Sequence, residues 1–510
     1  MILNLFTPRS DHPLADPREL RRIIGELPPD KPAKVVDEIV GWFESLRLAD
    51  DLRVDHLFDI VRQLDDALQP QLRRLGRDYL LAPRLSKAEE RRLWTLCFSC
   101  WEWAALLYAD CLARMAAQPK DKGSEALKAQ LPLLAARRAG ALVAQMRWLE
   151  YRYGPLRETL WQQLGEVYLA AEAGGFAQKP LQLYPGLSAL TSVTQQYLQA
   201  IVLRASSMDK LTPLEIELAD RLIAHFLPAF VFSATVRSDS VYWIDAASAL
   251  PPARLARHPS AVTGTLRFFS PGSAPQQLVE VLHQVERGDV PADLNLGGQY
   301  SARQLLPVLR HLATYWAPQP PMRAHARHAV KTRIAVLHGF DDCSAVFSGD
   351  AAQAGREQDA RSWVAENVSL GGFGATLDDA DAEWLKVGCL VAIQPDGGDN
   401  WVLGIVRRFV RGPAGHVSVG IQSLAHQARG IELRPRVSGF SAALGAPGIW
   451  LGEPAGGGGE AAPVRIVLPI GGFDVRENLE FHLDGQNHLL APVELEESGG
   501  DFEIARYRRL

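Results

Sequence analysis

Cysteine is scarce and unpatterned in this chain: five among 510 residues, namely Cys97, Cys100, Cys111, Cys343 and Cys389. An odd, scattered set excludes a disulfide framework and suits a reducing cytoplasm. Long apolar runs are missing as well. The most membrane-like stretch, Ile223–Val236, is shorter than the about 20 apolar residues that span a bilayer, and it contains His225 and Pro228. It reads as a buried core segment. The opening Met1-Ile-Leu-Asn-Leu-Phe-Thr-Pro-Arg9 lacks a basic stretch ahead of an apolar core, so no secretory signal is expected and the location expected is cytoplasmic. Charge of one sign does not accumulate either. A formal net charge of −5 leaves no broad basic surface to displace counterions from nucleic acid, while a local arginine pocket for a small anion stays open. No phosphate-cradling glycine loop before a lysine, no nucleophile elbow and no metal-ligand spacing occurs. Neither enzymatic activity nor a metal or cofactor is expected.

What is present is an ordinary globular composition, 47% hydrophobic and 22% charged, in a length that accommodates two to four domains. The first 315 residues read as mostly α-helical, with room for a sub-boundary near 230–270. Asp30-Lys-Pro32 opens a helix whose apolar face carries Val36, Ile39, Val40, Phe43 and Leu46. Leu57, Ile60, Leu64 and Leu68 mark a second. Ser86-Lys-Ala-Glu89 is a capping box ahead of an aromatic-rich core helix holding Leu93, Trp94, Phe98, Trp101 and Leu107. Cys97 and Cys100 share one face of that helix, where buried thiols are favoured over a zinc site lacking two further ligands. Helices are also expected from Thr212-Pro213, over 275–287 and from Ser301 to 315. Val231–Val236 and Val241–Ile244 fit either strand or buried helix. Trp161-Gln-Gln-Leu164-Gly165-Glu-Val-Tyr168, followed by Ala177, resembles a tetratricopeptide hairpin, in which the glycine would let two helices approach. No second copy lies at the repeat distance.

Pro318, Pro320 and Pro321 form a stiff hinge, after which the pattern turns to β. Arg323-Ala-His-Ala-Arg327 precedes the strand-like Arg333–Gly339, and Asn367-Val-Ser369-Leu-Gly-Gly372 ends another run, Trp363–Val368. Leu390–Ile393, Trp401–Val406 and Val417–Gln422 follow. Residues 345–360 read as a polar insertion between the first two strands. Beyond 432, Val464–Leu468, Leu479–Leu483, His488–Leu495 and Phe502–Ile504, with turns at Asp484-Gly485 and Gly499-Gly500, read as antiparallel β. They could form a separate small barrel, such as a degenerate second copy of the first, or extra strands on it. Gly456–Gly459 is a flexible spacer.

The order Arg-x-x-x-Arg, strand, Asn-x-Ser-x-x-Gly, and a strand ending Gly420-Ile421-Gln422 resembles the PilZ domain, a bacterial receptor module for cyclic di-GMP. The resemblance covers about 320–430. It implies an antiparallel β-barrel over 316–432, preceded by the helical domain and followed by a β domain over 433–510: a multidomain α+β chain. It also implies a cyclic di-GMP site made by Arg323, Arg327, Asn367, Ser369 and Gly372.

The residue types suit that ligand. A guanidinium fork pairs with a phosphate or with the O6/N7 edge of guanine, and its flat face stacks on a base. Asn367 and Ser369 alternate along a strand and share a face, while Gly372 permits close backbone approach. Two departures from the family pattern stand out: Met322 where many members carry another arginine, which leaves the number of ligands open, and Asn367 for the commoner aspartate. His325 and His328 read as surface residues, and Arg407 and Arg408 as a solvated edge-strand pair. A ligand-ordered hinge over 316–327 would signal to the helical domain and a protein partner it holds. The alternative is a nucleotide-independent scaffold that works through the helical domain alone.

Overall fold

The computed structural model describes residues 10–82, 85–187, 189–319, 325–349, 360–378, 384–398, 400–412, 415–425, 427–436, 445–452, 464–483 and 485–510. Residues 320–324 of the proposed hinge, Arg323 among them, and the Gly456–Gly459 spacer lie outside the described residues. The chain forms two compact units, one made of most residues up to 321, the other of 322–510 with two short segments, 153–155 and 209–212.

In the helical unit, α1 (Pro17–Glu26), α2 (Pro32–Arg47), α3 (Val54–Leu81), α4 (Lys87–Ala117), α5 (Lys122–Leu127) and α6 (Leu131–Glu150) come first. They are followed by α7 (Glu158–Ala173), α8 (Val193–Ala205) and α9 (Pro213–Phe226). Strands β1 (Val231–Ser233), β2 (Tyr242–Asp245), β3 (Ala253–Arg254) and β4 (Leu266–Ser270) then form one sheet in the order β1-β4-β2-β3. The two stretches that fitted strand or helix are thus β1 and β2. Helices α10 (Ala274–Glu286) and α11 (Ala302–Trp316) complete the unit.

Ser86 and Glu89 make both capping-box hydrogen bonds at the start of α4. Lys31 rather than Asp30 stands at the N-cap of α2, with no side-chain cap. Among the described residues α4 is the one helix long and apolar enough to cross a bilayer, yet Cys97, Phe98, Cys100, Trp101, Leu107 and Tyr108 are buried where it packs on α2, α3 and α6. It is a core helix. Burial pushes the Cys97 and Cys111 thiols up to about 12, and all five cysteines are unpaired.

The tetratricopeptide-like spacing needs correction. Trp161, Leu164 and Tyr168 are buried on α7, and the Tyr168 ring stacks on Tyr197 of α8 at 4.6 Å. The next helix, however, begins only at Val193, and Ala177 sits in the connector, its carbonyl accepting the Thr194 N–H. Gly165 makes room for backbone rather than for a partner helix: a Cβ there would lie 1.8 Å from the Ala246 carbonyl oxygen.

Buried ion pairs knit the helices together. Glu217 on α9 accepts from the Tyr151 hydroxyl at 2.5 Å and pairs with Arg221 at 2.7 Å and Arg147 at 3.8 Å. Burial alone would raise its carboxyl; the Arg147 and Arg221 charges outweigh that and hold it below the usual carboxylate range. A pKa depressed by folding stabilises the fold above the unfolded value, about 4.3, and that stability is lost as pH falls through the folded value. Melting of the helical unit is therefore expected to drop as pH is lowered below about 4.3, and Glu217→Gln to flatten the slope; calorimetric scans through that acid range check it.

Among the described residues of 325–510, the second unit is antiparallel β plus one α-helix. Strands β5 (His328–His338), β6 (Arg361–Ser369), β7 (Gly372–Asp378), β8 (Leu390–Pro395), β9 (Val402–Arg411) and β10 (His416–Ser423) close a six-stranded barrel in the order β10-β7-β6-β5-β8-β9. Helix α12 (Phe340–Ser348) follows β5, so the start of the expected polar insertion is helical, with Val346 buried; residues 350–359 lie outside the described residues. Strands β11 (Ala428–Pro435), β12 (Ala446–Leu451), β13 (Val464–Pro469), β14 (Leu479–Leu483), β15 (Gln486–Ser498) and β16 (Phe502–Arg509) close a second six-stranded barrel. Of the arrangements open for the C-terminal strands, a barrel of their own is the one formed. It takes in β11, which spans the expected boundary at 432/433. The chain is thus a multidomain α+β protein, helical first and barrelled after.

Candidate functional site

The hairpin between β6 and β7 is where the second motif falls. Ser369 pairs with Gly372 across a two-residue turn, Leu370-Gly371, and the Ser369 hydroxyl donates to the Gly372 carbonyl at 3.3 Å. Gly372 has φ +147°, and a Cβ on it would lie 1.9 Å from the Ile421 carbonyl oxygen of β10. Only glycine tolerates both conditions. The hairpin is stitched to β10 further on, where the Ser423 N–H donates to the Gly371 carbonyl at 3.1 Å.

A register shift between Ala365 and Asn367 bulges β6 just before the motif. Asn367 lies flat over Gly374 of β7, where a Cβ would meet its amide at 2.5 Å. Its Oδ1 is out of solvent and accepts no hydrogen bond among the described residues. An unpaired buried acceptor costs about 1–3 kcal/mol.

The segment leading into β5 lies against this hairpin: the His325 ring would be 3.0 Å from a Cβ on Gly371. Between them opens a cleft of ≈ 560 Å³ bordered by His325, His328, Ser369, Phe373, Val402 and Ser423. That volume is ordinary for a small-molecule site, and the mix of apolar walls with a few polar groups is the usual one. No carboxylate borders it among the described residues. Flat rings can lie on Phe373 and Val402, and the hydroxyls and imidazoles can meet anionic oxygens.

Of the five expected residues, Ser369 borders the cleft and Gly372 shapes its hairpin. Asn367 sits two residues back along β6, opposite Gly374, Arg327 is exposed on the adjoining segment, and Arg323 falls outside the described residues. The two histidines set aside as surface residues border the cleft. Phe373, Val402 and Ser423 were not anticipated, because barrel closure brings them together from three strands. Arg407 is also not a free edge charge, since β9 has neighbours on both sides. It donates to Gln422 Oε1 at 2.8 Å and to both carboxylate oxygens of Glu497 at 2.5 and 2.6 Å.

A larger cavity, ≈ 690 Å³, lies in the helical unit near Leu14, Leu52, Arg53 and Arg114. Its arginines are already engaged, Arg53 by Asp55 at 2.6 Å and Arg114 by the Leu52 carbonyl at 3.2 Å. Beside the barrel cleft, by contrast, Arg327 is exposed.

No curated protein matches the chain. Residues 18–236, from α1 to just past β1, match the family model described as the N-terminal domain of the cyclic-di-GMP receptor FimW.

Proposed function

We propose that this chain is a cytoplasmic cyclic di-GMP receptor that holds the dinucleotide at the cleft of the first, PilZ-type barrel and signals through the helical unit. What carries the proposal is the agreement of two separate parts of the chain. The helical region matches the N-terminal domain of a cyclic-di-GMP receptor, and the barrel that follows bears the Arg327–Asn367–Ser369–Gly372 motif beside a cleft that no carboxylate borders among the described residues. Arg327 and Arg323 would supply forked donors to the phosphates or guanines. Ser369 and the unpaired Asn367 oxygen would meet polar edges of the ligand, and Phe373 and Val402 would take an apolar face. Nothing in this set activates a nucleophile or a leaving group, so the role proposed is binding. A ligand shifts the helical unit only by its differential affinity for two arrangements of the chain.

Calorimetric titration of cyclic di-GMP into the full chain tests this. Micromolar or tighter binding is expected, with Arg327→Ala weakening it by about ten- to hundredfold, the value of a charge-assisted bidentate bond. A wild-type chain that takes up no heat would sink the receptor and move the weight to a scaffold acting through the helical region.

A further inference from the structure

The two barrels share one core. Leu390 and Ala392 of β8, Leu403 and Ile405 of β9, and Phe340 and Cys343 of α12 form a single buried cluster with Ile449, Val467, Phe502 and Ile504 of the second barrel. The second barrel also caps α12, Asp501 accepting the Phe340 N–H at 2.8 Å. A shared core of this kind cannot slide without losing contacts on both sides. At its edge stands Arg407. On one side it grips Glu497, set by the bulge of β15 between Leu495 and Glu497; on the other it grips Gln422, which pairs across β10 with Gly372. The next residue, Ser423, borders the cleft and bonds Gly371. A planar guanidinium with both oxygens of one carboxylate and a third acceptor ties two side chains together through three bonds at once.

We propose that Arg407 is a positioning residue for the ligand site, through which Glu497 of the second barrel holds the end of β10, and with it the Ser369–Phe373 hairpin, in its binding geometry. The C-terminal barrel is then a regulatory element of that site, and a partner or modification that draws Glu497 away loosens the cleft. This rests on the proposed cyclic di-GMP site.

The test uses the full chain as wild type, Arg407→Glu, Glu497→Arg and the double exchange. Both single variants are expected to weaken cyclic di-GMP binding by about five- to tenfold, in keeping with a half-exposed bidentate pair. They are also expected to quicken hydrogen exchange of the Ser423 amide and of residues 369–373 without ligand. The double exchange restores the pair and is expected to recover both readouts to within about twofold. Single variants that bind and exchange like wild type overturn the proposal, as does a folded double variant that recovers neither. If wild type itself does not bind, the receptor function fails, and the exchange pattern of the four unliganded proteins still decides whether Glu497 holds the hairpin. Should Arg407→Glu not fold, Arg407→Gln carries the same comparison with a smaller effect.

Discussion

Gly372→Ala is expected to abolish cyclic di-GMP binding and to destabilise the first barrel by about 2–5 kcal/mol, the sum of a glycine-only backbone conformation and a forced steric insertion. The two contributions come from separate observations. The φ of +147° lies where a side chain is strained whatever the space around it. The Cβ would also stand 1.9 Å from the Ile421 oxygen, an atom fixed in the β7–β10 ladder by the Phe373–Ile421 and Gly372–Gln422 pairs. Relief requires the two strands to part at the point where Ser423 and Gly371 are joined. Ser369→Ala makes the contrast, since it removes one long hydrogen bond of 3.3 Å and is expected to cost no more than about 1 kcal/mol. Scanning calorimetry of the full chain, with hydrogen exchange of residues 361–378 and 418–425, separates the two. An alanine variant with wild-type exchange in both segments would show that the hairpin geometry described above is wrong.

The contrast between Gly372 and Gly165 shows what local spacing records. Gly372 sits in a motif whose other members lie within five residues of it, so its demand for close approach was legible there. Gly165 sits in an equally suggestive motif, and Trp161, Leu164 and Tyr168 do form a buried face, because helical periodicity is a local property. Its close neighbour, the Ala246 carbonyl, comes from far along the chain, and no spacing within the motif encodes it. The barrels repeat the lesson. Individual strands and the Ser86 cap follow from alternation and cap chemistry, while closure depends on pairs such as β13–β16 and β11–β14, set by register between distant segments. Arg407 looked like a surface charge for the same reason: Glu497 is 90 positions away. The cleft walls Val402 and Ser423 likewise acquire a role only once β9 and β10 curl round to the hairpin.

Arg137→Met is expected to lower the stability of the helical unit by about 3–5 kcal/mol, the cost of stranding a buried carboxylate. Arg137 on α6 is 2% exposed and Asp65 on α3 is 1% exposed. The guanidinium pairs with Asp65 at 2.9 Å and Asp66 at 2.6 Å, and lies over the Tyr184 ring at 4.0 Å. Without it Asp65 keeps the Tyr108 hydroxyl at 2.6 Å, the Gln69 amide at 2.8 Å and the Tyr184 hydroxyl, dipoles in place of a charge. The pH dependence tells charge burial from lost packing. Burial already raises the Asp66 carboxyl, and Arg137 pulls against it, so removing Arg137 raises it further. A carboxyl raised by folding lends stability below its unfolded pKa and loses it as pH climbs through the folded value. The deficit of Arg137→Met is therefore expected to be small below about pH 4, where the Asp66 carboxyl is protonated, and to widen toward neutrality. Arg137→Met with Asp65→Asn, which removes the stranded charge, is expected to regain part of the loss at neutral pH. A deficit that stayed constant across the titration would assign the Arg137 contribution to packing against Tyr184 rather than to its charge.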